Sequence, residues 1–203
     1  YEDPGRKMVV STMAHNTLEI DGMNYSDHSS AKYDSALIGH TEYEWGIALE
    51  FERFWDKFAT RHHRILLYRP KEFLVVIDIM KPNEKKEFRQ WFHLNENFKL
   101  KPQEIEMTDT YLFEKDNQLL RTQFLSSVDN KVSIYKGKTN PMIGWRSRSY
   151  KNLIPIISFN QMAAGEECAL ATGFSLTGGD INLKLGFDKD VVEISGNING
   201  IDL

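Results

Sequence analysis

Apolar and polar residues alternate along most of this chain, and turn residues interrupt the alternation at short intervals. Residues 44–52 place large apolar side chains at every second position, with charged or small residues between them. This is the period-2 pattern of a half-buried strand. Residues 73–80 form a run rich in β-branched residues, as in a central strand, and the stretch 69–72 before it has the length of a hairpin connection. Further strands are predicted at residues 64–68, 88–94, 110–115, 118–124, 131–135, 154–160, 168–174, 182–187 and 191–195.

The spacing of these segments predicts the fold class. Turn residues recur about every 8–12 positions, which is typical of an all-β sandwich, and no segment keeps a helical period for three turns. We therefore expect an antiparallel β-sandwich: two stacked, mainly antiparallel sheets of about a dozen strands, with residues 1–203 as a single domain. Residues 27–35 and 160–167 are expected to form a short helix or a loop.

The charge balance bears on the partners of the chain. Its 203 residues include 25 basic and 29 acidic side chains, a net charge of -4, whereas a nucleic-acid binder usually carries a basic excess or a basic stripe. We expect no nucleic-acid partner, but an anionic saccharide stays compatible because a cleft needs only a few cations. No stretch approaches the length that spans a bilayer. The single cysteine, Cys168, excludes an internal disulfide.

The first candidate for chemistry is His15, which stands in an Ala-His-Asn-Thr run before a short alternating stretch that ends in Asp21 and Gly22. Imidazole is the commonest nitrogen ligand of metals and also moves protons near neutral pH. The alternative is a histidine at the start of a strand, satisfied by backbone or by Asn16. Because the chain has no His-x-His or His-x-x-His pair, further ligands must come from distant positions or from outside this sequence.

Two other histidine positions are ambiguous. His62 and His63 are neighbours on a predicted strand, so at most one of them faces a given site. The flanking Arg61 and Arg64 would suit an anionic sugar, and the alternative is a polar strand start on the rim of a sheet. His93 shares a strand face with Trp91, and a satisfied, partly buried histidine is the favoured interpretation there.

The best saccharide-contact stretch by composition is residues 144–151, which hold three cations and two aromatic residues without any acid. Aromatic faces stack on sugar rings, and arginine forks bind carboxylate or sulfate with two hydrogen bonds. The alternative is a solvated strand face whose long side chains lie along the surface. The contact residues would be Trp145, Arg146, Arg148 and Tyr150.

These residues together resemble the heparinase II/III-like family of bacterial polysaccharide lyases and related proteins of capsule and exopolysaccharide gene clusters. The resemblance covers most of residues 1–95. In the first part it rests on Tyr1, Arg6, Ser11, Thr12, the Ala-His-Asn-Thr run at 14–17, Asp21 and Gly22. Downstream it rests on His63, Arg64 and the segments 65–68, 73–78 and 90–94.

The resemblance implies a fold and an activity for a longer protein. In that family an N-terminal (α/α) toroid packs on C-terminal antiparallel sheets of supersandwich type, with the substrate cleft between them. The reaction is β-elimination, in which a base removes the C5 proton of a uronic acid and the glycosidic oxygen leaves. The histidine matching His15 is a ligand of a structural, zinc-like metal whose other ligands come from earlier in the β domain. The tyrosine matching Tyr1 lines the cleft and serves proton transfer or substrate binding.

The resemblance also sets expectations for this chain. Its substrate contacts would be Arg6, Asn16, His63, Arg64, Trp145, Arg146, Arg148 and Tyr150. The toroid, with its catalytic tyrosine and its asparagine or histidine, lies outside this sequence, so we expect a C-terminal portion of a larger lyase that is inactive alone. Its exposed sheet edge would be covered by the missing part or in a homodimer. The family suggests a periplasmic or cell-envelope location.

Two other functions stay open at this stage. One is a non-catalytic carbohydrate-binding or assembly module of capsule or exopolysaccharide biosynthesis, with contacts centred on residues 145–150 and no need of His15. The other is a structural sandwich without a ligand, in which His15 is buried and hydrogen-bonded to backbone. The lyase interpretation instead places His15 near a metal or a domain interface, on one surface with Tyr1 and Arg6.

Overall fold

The computed structural model describes residues 4–24, 35–102, 109–149, 152–189 and 191–203. One short helix, α1 (Pro4–Val9), and two 3-10 turns, Thr12–Ala14 and Asp56–Phe58, stand among strands. The first ten strands are β1 (Leu18–Ile20), β2 (Ser35–Tyr43), β3 (Gly46–Trp55), β4 (Thr60–Arg69), β5 (Phe73–Pro82), β6 (Lys86–His93), β7 (Lys99–Leu100), β8 (Thr110–Lys115), β9 (Gln118–Ser126) and β10 (Asn130–Lys136). The others are β11 (Lys138–Thr139), β12 (Met142–Ile143), β13 (Trp145–Ser149), β14 (Asn152–Pro155), β15 (Ile157–Gly165), β16 (Cys168–Ser175), β17 (Ile181–Asp188), β18 (Val191–Ile198) and β19 (Ile201–Asp202).

Three antiparallel sheets form successive layers. An eight-stranded sheet in the order β2-β3-β4-β5-β16-β9-β8-β7 lies in the middle. A four-stranded sheet, β1-β6-β15-β10, packs on one of its faces, and a three-stranded sheet, β17-β18-β19, packs on the other. Two small ribbons, β11-β12 and β13-β14, follow β10 in the chain. Within the described ranges, no helix has the length and apolar character needed to cross a membrane.

The sequence of strand β5 has no continuous polar face, and the packing of the strand explains why. Phe73 and Ile77 belong to the apolar cluster shared with the three-stranded sheet, whereas Val76 and Met80 belong to clusters shared with the four-stranded sheet. Because neighbouring side chains of a strand point to opposite faces, both faces of β5 are covered. The continuous apolar run is therefore the signal of a strand buried on both sides.

The interior between the four- and eight-stranded sheets is rich in aromatic rings. Phe159 of β15 stands at its centre, with ring centroids 5.7 Å from Phe113, 5.4 Å from Phe124 and 5.8 Å from Phe92. Phe159 and Phe113 are fully buried. Tilted and offset contacts of this kind are the favoured arrangements of aromatic pairs. These aromatic contacts pack the four- and eight-stranded sheets against each other, below the face that carries the candidate site.

The structure confirms the predicted antiparallel sandwich and corrects two details. The expectation of a short helix or loop at residues 160–167 is wrong, because β15 runs through to Gly165. Its polar residue Gln161 is tolerated in the interior because hydrogen bonds satisfy the side chain on both sides. Two sheets were expected, and the three-stranded sheet is an additional layer. Most of the segment expected at 27–35 lies outside the described residues; only Ser35 is described, as the first residue of β2.

Candidate functional site

Two stretches that the sequence marked separately line one cleft. His15 and Asn16 form one side, and Trp145 and Arg146 form the other, around a volume of about 640 Å³. His93 lies among the lining residues between these two sides. The cleft opens on the face of the four-stranded sheet that is turned away from the eight-stranded sheet, because Phe92, the neighbour of His93, points into the core.

The His15 side of the cleft is a short irregular segment, residues 15–17, between a 3-10 turn and β1. The backbone N–H of His15 donates to Thr12 O at 3.1 Å, which closes the turn. The Asn16 side chain accepts a hydrogen bond from the backbone N–H of His93 at 2.9 Å, and Thr17 O accepts one from Trp91 N–H at 2.9 Å. His15 and Asn16 are both exposed. This exposure contradicts the structural-sandwich alternative, which requires a buried His15.

His93 is the half-buried histidine that its strand position predicted. Its ring stacks on Trp91 at an interplanar angle of 4°, and its Nδ1 lies 2.7 Å from the hydroxyl oxygen of Ser158. The pKa of His93 is lowered to about 4, mainly by burial and to a smaller extent by the nearby His15 ring, while hydrogen bonds to the backbone of His15 and Met13 oppose the shift. The imidazole is therefore neutral at neutral pH.

The opposite side of the cleft is the β13-β14 ribbon. Trp145 Nε1 donates to Lys138 O at 2.8 Å, and Arg146 Nη1 donates to the Asn95 side-chain oxygen at 2.8 Å. Gly144, with φ of +79°, makes the bend that starts the ribbon, and a Cβ there would lie 2.9 Å from the Gly137 nitrogen. The close backbone approach therefore requires glycine at position 144.

Glu96 adds a carboxylate to this side of the cleft, although it was not among the predicted site residues. Arg148 Nη2 lies 2.6 Å from Glu96 Oε2, and Arg146 Nη1 lies 3.7 Å from Glu96 Oε1. Two cations thus share one acid, and Arg146 and Arg148 remain exposed. Glu96 follows β6 in a turn, where no periodic pattern of residues indicates a contact with a distant arginine pair.

Arg64 does not line the cleft, although it lies next to it. Its Nε and Nη2 atoms donate to the two oxygens of Asp78, at 2.6 and 2.7 Å. Its Nη1 donates to Asn16 O at 3.3 Å. Burial alone raises the pKa of the Asp78 carboxyl, but Arg64 and His62 outweigh it and hold that pKa far below its usual range. Asp78 is therefore a fully buried carboxylate.

His62 completes the environment of Asp78 from the neighbouring strand. Its Nε2 lies 2.7 Å from Asp78 Oδ1. Burial lowers the pKa of His62, and the attraction of Asp78 only partly opposes this shift. Because an ionised carboxylate cannot donate, the neutral His62 ring donates its Nε2–H to Asp78. The expectation that His62 and His63 face opposite ways agrees with the structure, since His63 Nε2 lies 3.3 Å from Glu50 on the other face of β4.

The remaining predicted site residues lie elsewhere. His63 faces away from the cleft, and Arg6 is exposed on α1 without lining it. Arg148 lies beyond the lining residues and is linked to them through Glu96. Tyr1 and Tyr150 are outside the described residues.

A metal site is not complete in the described part of the chain. No group of three histidine, cysteine, aspartate or glutamate side chains lies close enough together there to hold an ion. His15 has an exposed ring but no such companions. A metal held by His15 would need ligands from other parts of the chain or from outside it, so no chemistry is derived from a metal here.

The geometry defines a class: an antiparallel β-sandwich that carries a cleft with an arginine, an indole and an exposed imidazole at its margins. The family described as Heparinase II/III-like, C-terminal, matches residues 2–169, and the chain therefore belongs to that family. No curated protein matches the sequence.

Solved structures share the fold. A crystal structure of heparinase III superposes with a TM-score of 0.77 at 16% identity, covering 100% of this chain and 31% of that one. A heparinase III gene product gives 0.72 at 14% identity, covering 95% and 30%. The heparan sulfate lyase HepC from Pedobacter heparinus gives 0.65 at 14% identity, covering 98% and 31%. The chain thus spans less than a third of the length of these structures.

Proposed function

We propose that this chain forms one wall of the substrate cleft of a heparinase II/III-like polysaccharide lyase, which cleaves a uronic-acid-containing polysaccharide. The observation that carries the proposal is the meeting of His15 and Asn16 with Trp145 and Arg146 in one cleft. These are the residues expected from the family resemblance and from saccharide chemistry, and they come from stretches 129 positions apart, counted from Asn16 to Trp145.

The chemistry of the lining residues fits an anionic sugar. The planar guanidinium of Arg146 can bind a carboxylate or a sulfate with two hydrogen bonds. The indole of Trp145 offers an apolar face to the sugar ring. Asn16 and Asn95 add amide groups that suit hydroxyls. Glu96 neutralises one of the two arginine charges, which leaves one positive charge from Arg146 and Arg148 for the ligand.

The proposed reaction is β-elimination in the longer protein. A base takes the C5 proton of the uronic acid, the C5–H electron pair forms the C4–C5 double bond, and the C4–O bond breaks. A proton is delivered to the leaving oxygen. Neutralisation of the uronate carboxylate makes the C5 proton more acidic, and we assign a contribution to this to Arg146 because its guanidinium lines the cleft. We assign Tyr1 to proton transfer, on the family resemblance alone. Arg6 and Tyr150 keep their assignment as substrate contacts on the same ground.

The resemblance further assigns His15 to a zinc site whose other ligands precede this chain, and the (α/α) toroid to the opposite wall. Elemental analysis of the 203-residue chain tests the first assignment. We expect substoichiometric zinc, because a single imidazole binds the ion weakly. Stoichiometric zinc would contradict the assignment of the other ligands to preceding segments.

The function is tested on the intact parent protein with uronic-acid polysaccharides. Release of the unsaturated product is followed by its ultraviolet absorbance. Arg146→Ala is expected to lower kcat/KM about tenfold or more, since a hydrogen bond to a charged group contributes about 1.5–3 kcal/mol. Lys184→Ala removes an exposed cation from the three-stranded sheet and serves as the matched control. Equal rates for both variants would contradict the proposal.

A non-catalytic carbohydrate-binding or assembly module is the second candidate. The half-buried indole of Trp145 and the exposed guanidinium of Arg146 favour it, because they would bind a saccharide without further residues. In that case the parent protein binds the polysaccharide but forms no unsaturated product, and His15→Ala leaves the affinity unchanged.

A further inference from the structure

A row of polar side chains crosses the otherwise apolar interior between the four- and eight-stranded sheets. Asn130 Nδ2 donates to Gln161 Oε1 at 3.1 Å. Gln161 Nε2 donates to Gln90 Oε1 at 2.8 Å, and Gln90 Nε2 donates to Asp78 Oδ2 at 2.8 Å. We call these four residues the polar row. Every donor in it points toward Asp78.

The polar row is satisfied throughout. Gln90, Gln161 and Asp78 are fully buried. Gln161 Nε2 also donates to Ala171 O at 2.9 Å, and the hydroxyl of Thr172 donates to Gln90 Oε1 at 2.6 Å. A buried amide without partners would be costly, whereas a fully bonded row fixes the rotamer of each member. The row therefore holds the Asp78 carboxylate in one orientation.

The orientation of the Asp78 carboxylate in turn sets the orientation of the Arg64 side chain. Two hydrogen bonds, at 2.6 and 2.7 Å, form a bidentate pair in which the plane of the guanidinium is set by the plane of the carboxylate. The Arg64 side chain is only 20% exposed. The edge formed by Nε and Nη2 is turned inward to Asp78 and is not available to a ligand.

The third nitrogen of Arg64 reaches the segment that carries His15. Nη1 donates to Asn16 O at 3.3 Å. Residues 15–17 belong to neither helix nor strand, and a short exposed segment of this kind samples many conformations unless it is tied down. Its described ties are the bond from His15 N–H to Thr12 O on its N-terminal side and the contacts to Arg64 and to the backbone of Trp91 and His93.

We propose that Arg64 is a positioning residue: held by the polar row through Asp78, it fixes residues 15–17 so that His15 and Asn16 face the cleft. This replaces the expectation that Arg64 binds substrate. The effect on ligand binding rests on the proposed function, whereas the fixing of residues 15–17 does not. The bidentate pair with Asp78 fixes the guanidinium, and the Nη1 bond to Asn16 O then ties the segment to it, which an apolar side chain at position 64 could not do.

Amide hydrogen exchange of the 203-residue chain tests the fixing directly. The reporters are the backbone amides of Thr17 and His93, which bond within or to residues 15–17. Arg64→Met leaves Asp78 buried without its charge partner, so the double variant Arg64→Met/Asp78→Asn is measured as well. After correction for global stability, both amides are expected to exchange about tenfold faster or more in either variant, as for loss of a hydrogen bond to a charged group.

Arg121→Met is the matched control. Arg121 Nε donates to Gly178 O and Gly179 O, at 3.3 and 3.1 Å, so it also holds the carbonyls of a turn, but one that does not line the cleft. The reporter amides of Thr17 and His93 are expected to be unchanged in Arg121→Met. Unchanged exchange in both Arg64 variants, or equal acceleration in Arg121→Met, would overturn the proposal.

Affinity for a heparan sulfate oligosaccharide, measured by calorimetry, separates positioning from direct contact. If the wild-type chain binds, the Arg64 variants are expected to bind about tenfold more weakly and to show faster exchange together. Weaker binding with unchanged exchange would make Arg64 a direct ligand and overturn the positioning role. If the wild-type chain does not bind, the proposed function fails, and the exchange result still decides the positioning.

Discussion

Strand β5 separates two interiors of different character. Its side chains Ile77 and Ile79 point into an apolar layer shared with the three-stranded sheet. On its other face, Asp78 sits between Val76 and Met80 and carries the buried charge to which Arg64, His62 and Gln90 are bonded. One layer contains only apolar contacts from this strand, and the other contains a hydrogen-bonded carboxylate.

The two faces of β5 therefore contribute differently to the stability of the fold and to the placement of residues 15–17. Apolar contacts are non-directional, so the layer below Ile77 can hold two sheets together without fixing any particular side chain. Hydrogen bonds are directional, and those of Asp78 have defined distances and a defined plane. Buried ion pairs are often no more stabilising than apolar replacements. We therefore assign the hydrogen bonds of Asp78 and the polar row mainly to placing residues 15–17, and the apolar contacts of both layers mainly to stability.

The largest effect is expected for Asp78→Ala. This change leaves the guanidinium of Arg64 and the polar row without their common acceptor, and breaking one partner of a buried pair typically costs about 3–5 kcal/mol. Urea unfolding measures the loss. An exposed ion pair contributes up to about 1 kcal/mol. A loss below that value would contradict the difference drawn between the two faces of β5, because Asp78 would then not act as a buried partner of Arg64 and the polar row.

A large loss is also expected for Ile77→Ala in the apolar layer, about 2–5 kcal/mol from lost burial and the cavity left behind. Here the exchange of the amides around residues 15–17, corrected for global stability, should stay at the wild-type rate. Urea unfolding and amide exchange on one sample give both numbers. Local loosening of residues 15–17 in Ile77→Ala would show that the two layers are not separable.

Acidification should lower stability through the polar layer and, separately, through His93, whose pKa of about 4 is also lowered by burial. The pKa of His62 is lowered in the folded protein, so the unfolded state takes up a proton first as the pH falls below about 6.5. Burial disfavours the protonated ring most, Asp78 favours it, and Arg64 and Arg53 add to the effect of burial. The pKa of Asp78 is lowered as well, so its contribution is present above about 4 and is lost as the pH falls further.

Measuring the free energy of unfolding between pH 7.5 and 4.5 tests whether stability falls on acidification. One proton taken up by the unfolded state alone gives a slope of about 1.4 kcal/mol per pH unit. His62→Gln should reduce the slope between about pH 6.5 and 5, and His40→Gln, at an exposed position of β2, is the control. A steeper fall in His62→Gln than in wild type would mean that His62 is protonated in the folded protein.

The smallest effect on stability is expected at the ribbon. Arg148→Ala removes the exposed member of a surface pair with the half-buried Glu96, which keeps Arg146 nearby, and surface pairs contribute about 0.2–1 kcal/mol. Thermal unfolding at low and high salt measures the change, which should shrink as salt screens the pair. A loss above about 2 kcal/mol would place Arg148 among buried anchors and not on a surface.

The sequence predicted much of this fold because its strands are strongly patterned. The run at 73–80 and the hairpin connection at 69–72 identified β4 and β5 as neighbours, and the structure pairs them antiparallel. The third sheet was not predicted, because alternation in β17 and β18 indicates a covered face without saying which sheet covers it. β15 was misjudged at 160–167, since a glutamine in the middle of a strand resembles a turn until its partners are known.

Part of the site was predictable and part was not. His15, Trp145 and Arg146 were recognised from residue type and local composition, and the fold brings them to one cleft. Arg64 was assigned to the substrate because a cation beside a histidine suggests an anion. Its true partner, Asp78, lies on the next strand, directly opposite in the ladder. A pairing of this kind becomes visible only once strand register is fixed, and the same holds for Glu96 and the two arginines.

An NMR titration of the isotopically labelled chain with a heparan sulfate oligosaccharide tests the central claim most directly. The claim is that residues 15–16, 93–95 and 145–147 form one binding cleft for an anionic saccharide. We predict saturable amide shifts at all three segments with a single dissociation constant, and no such shifts with a neutral dextran of equal length. Shifts confined to residues 145–149, shifts centred on other parts of the chain, or no shifts at all would contradict it.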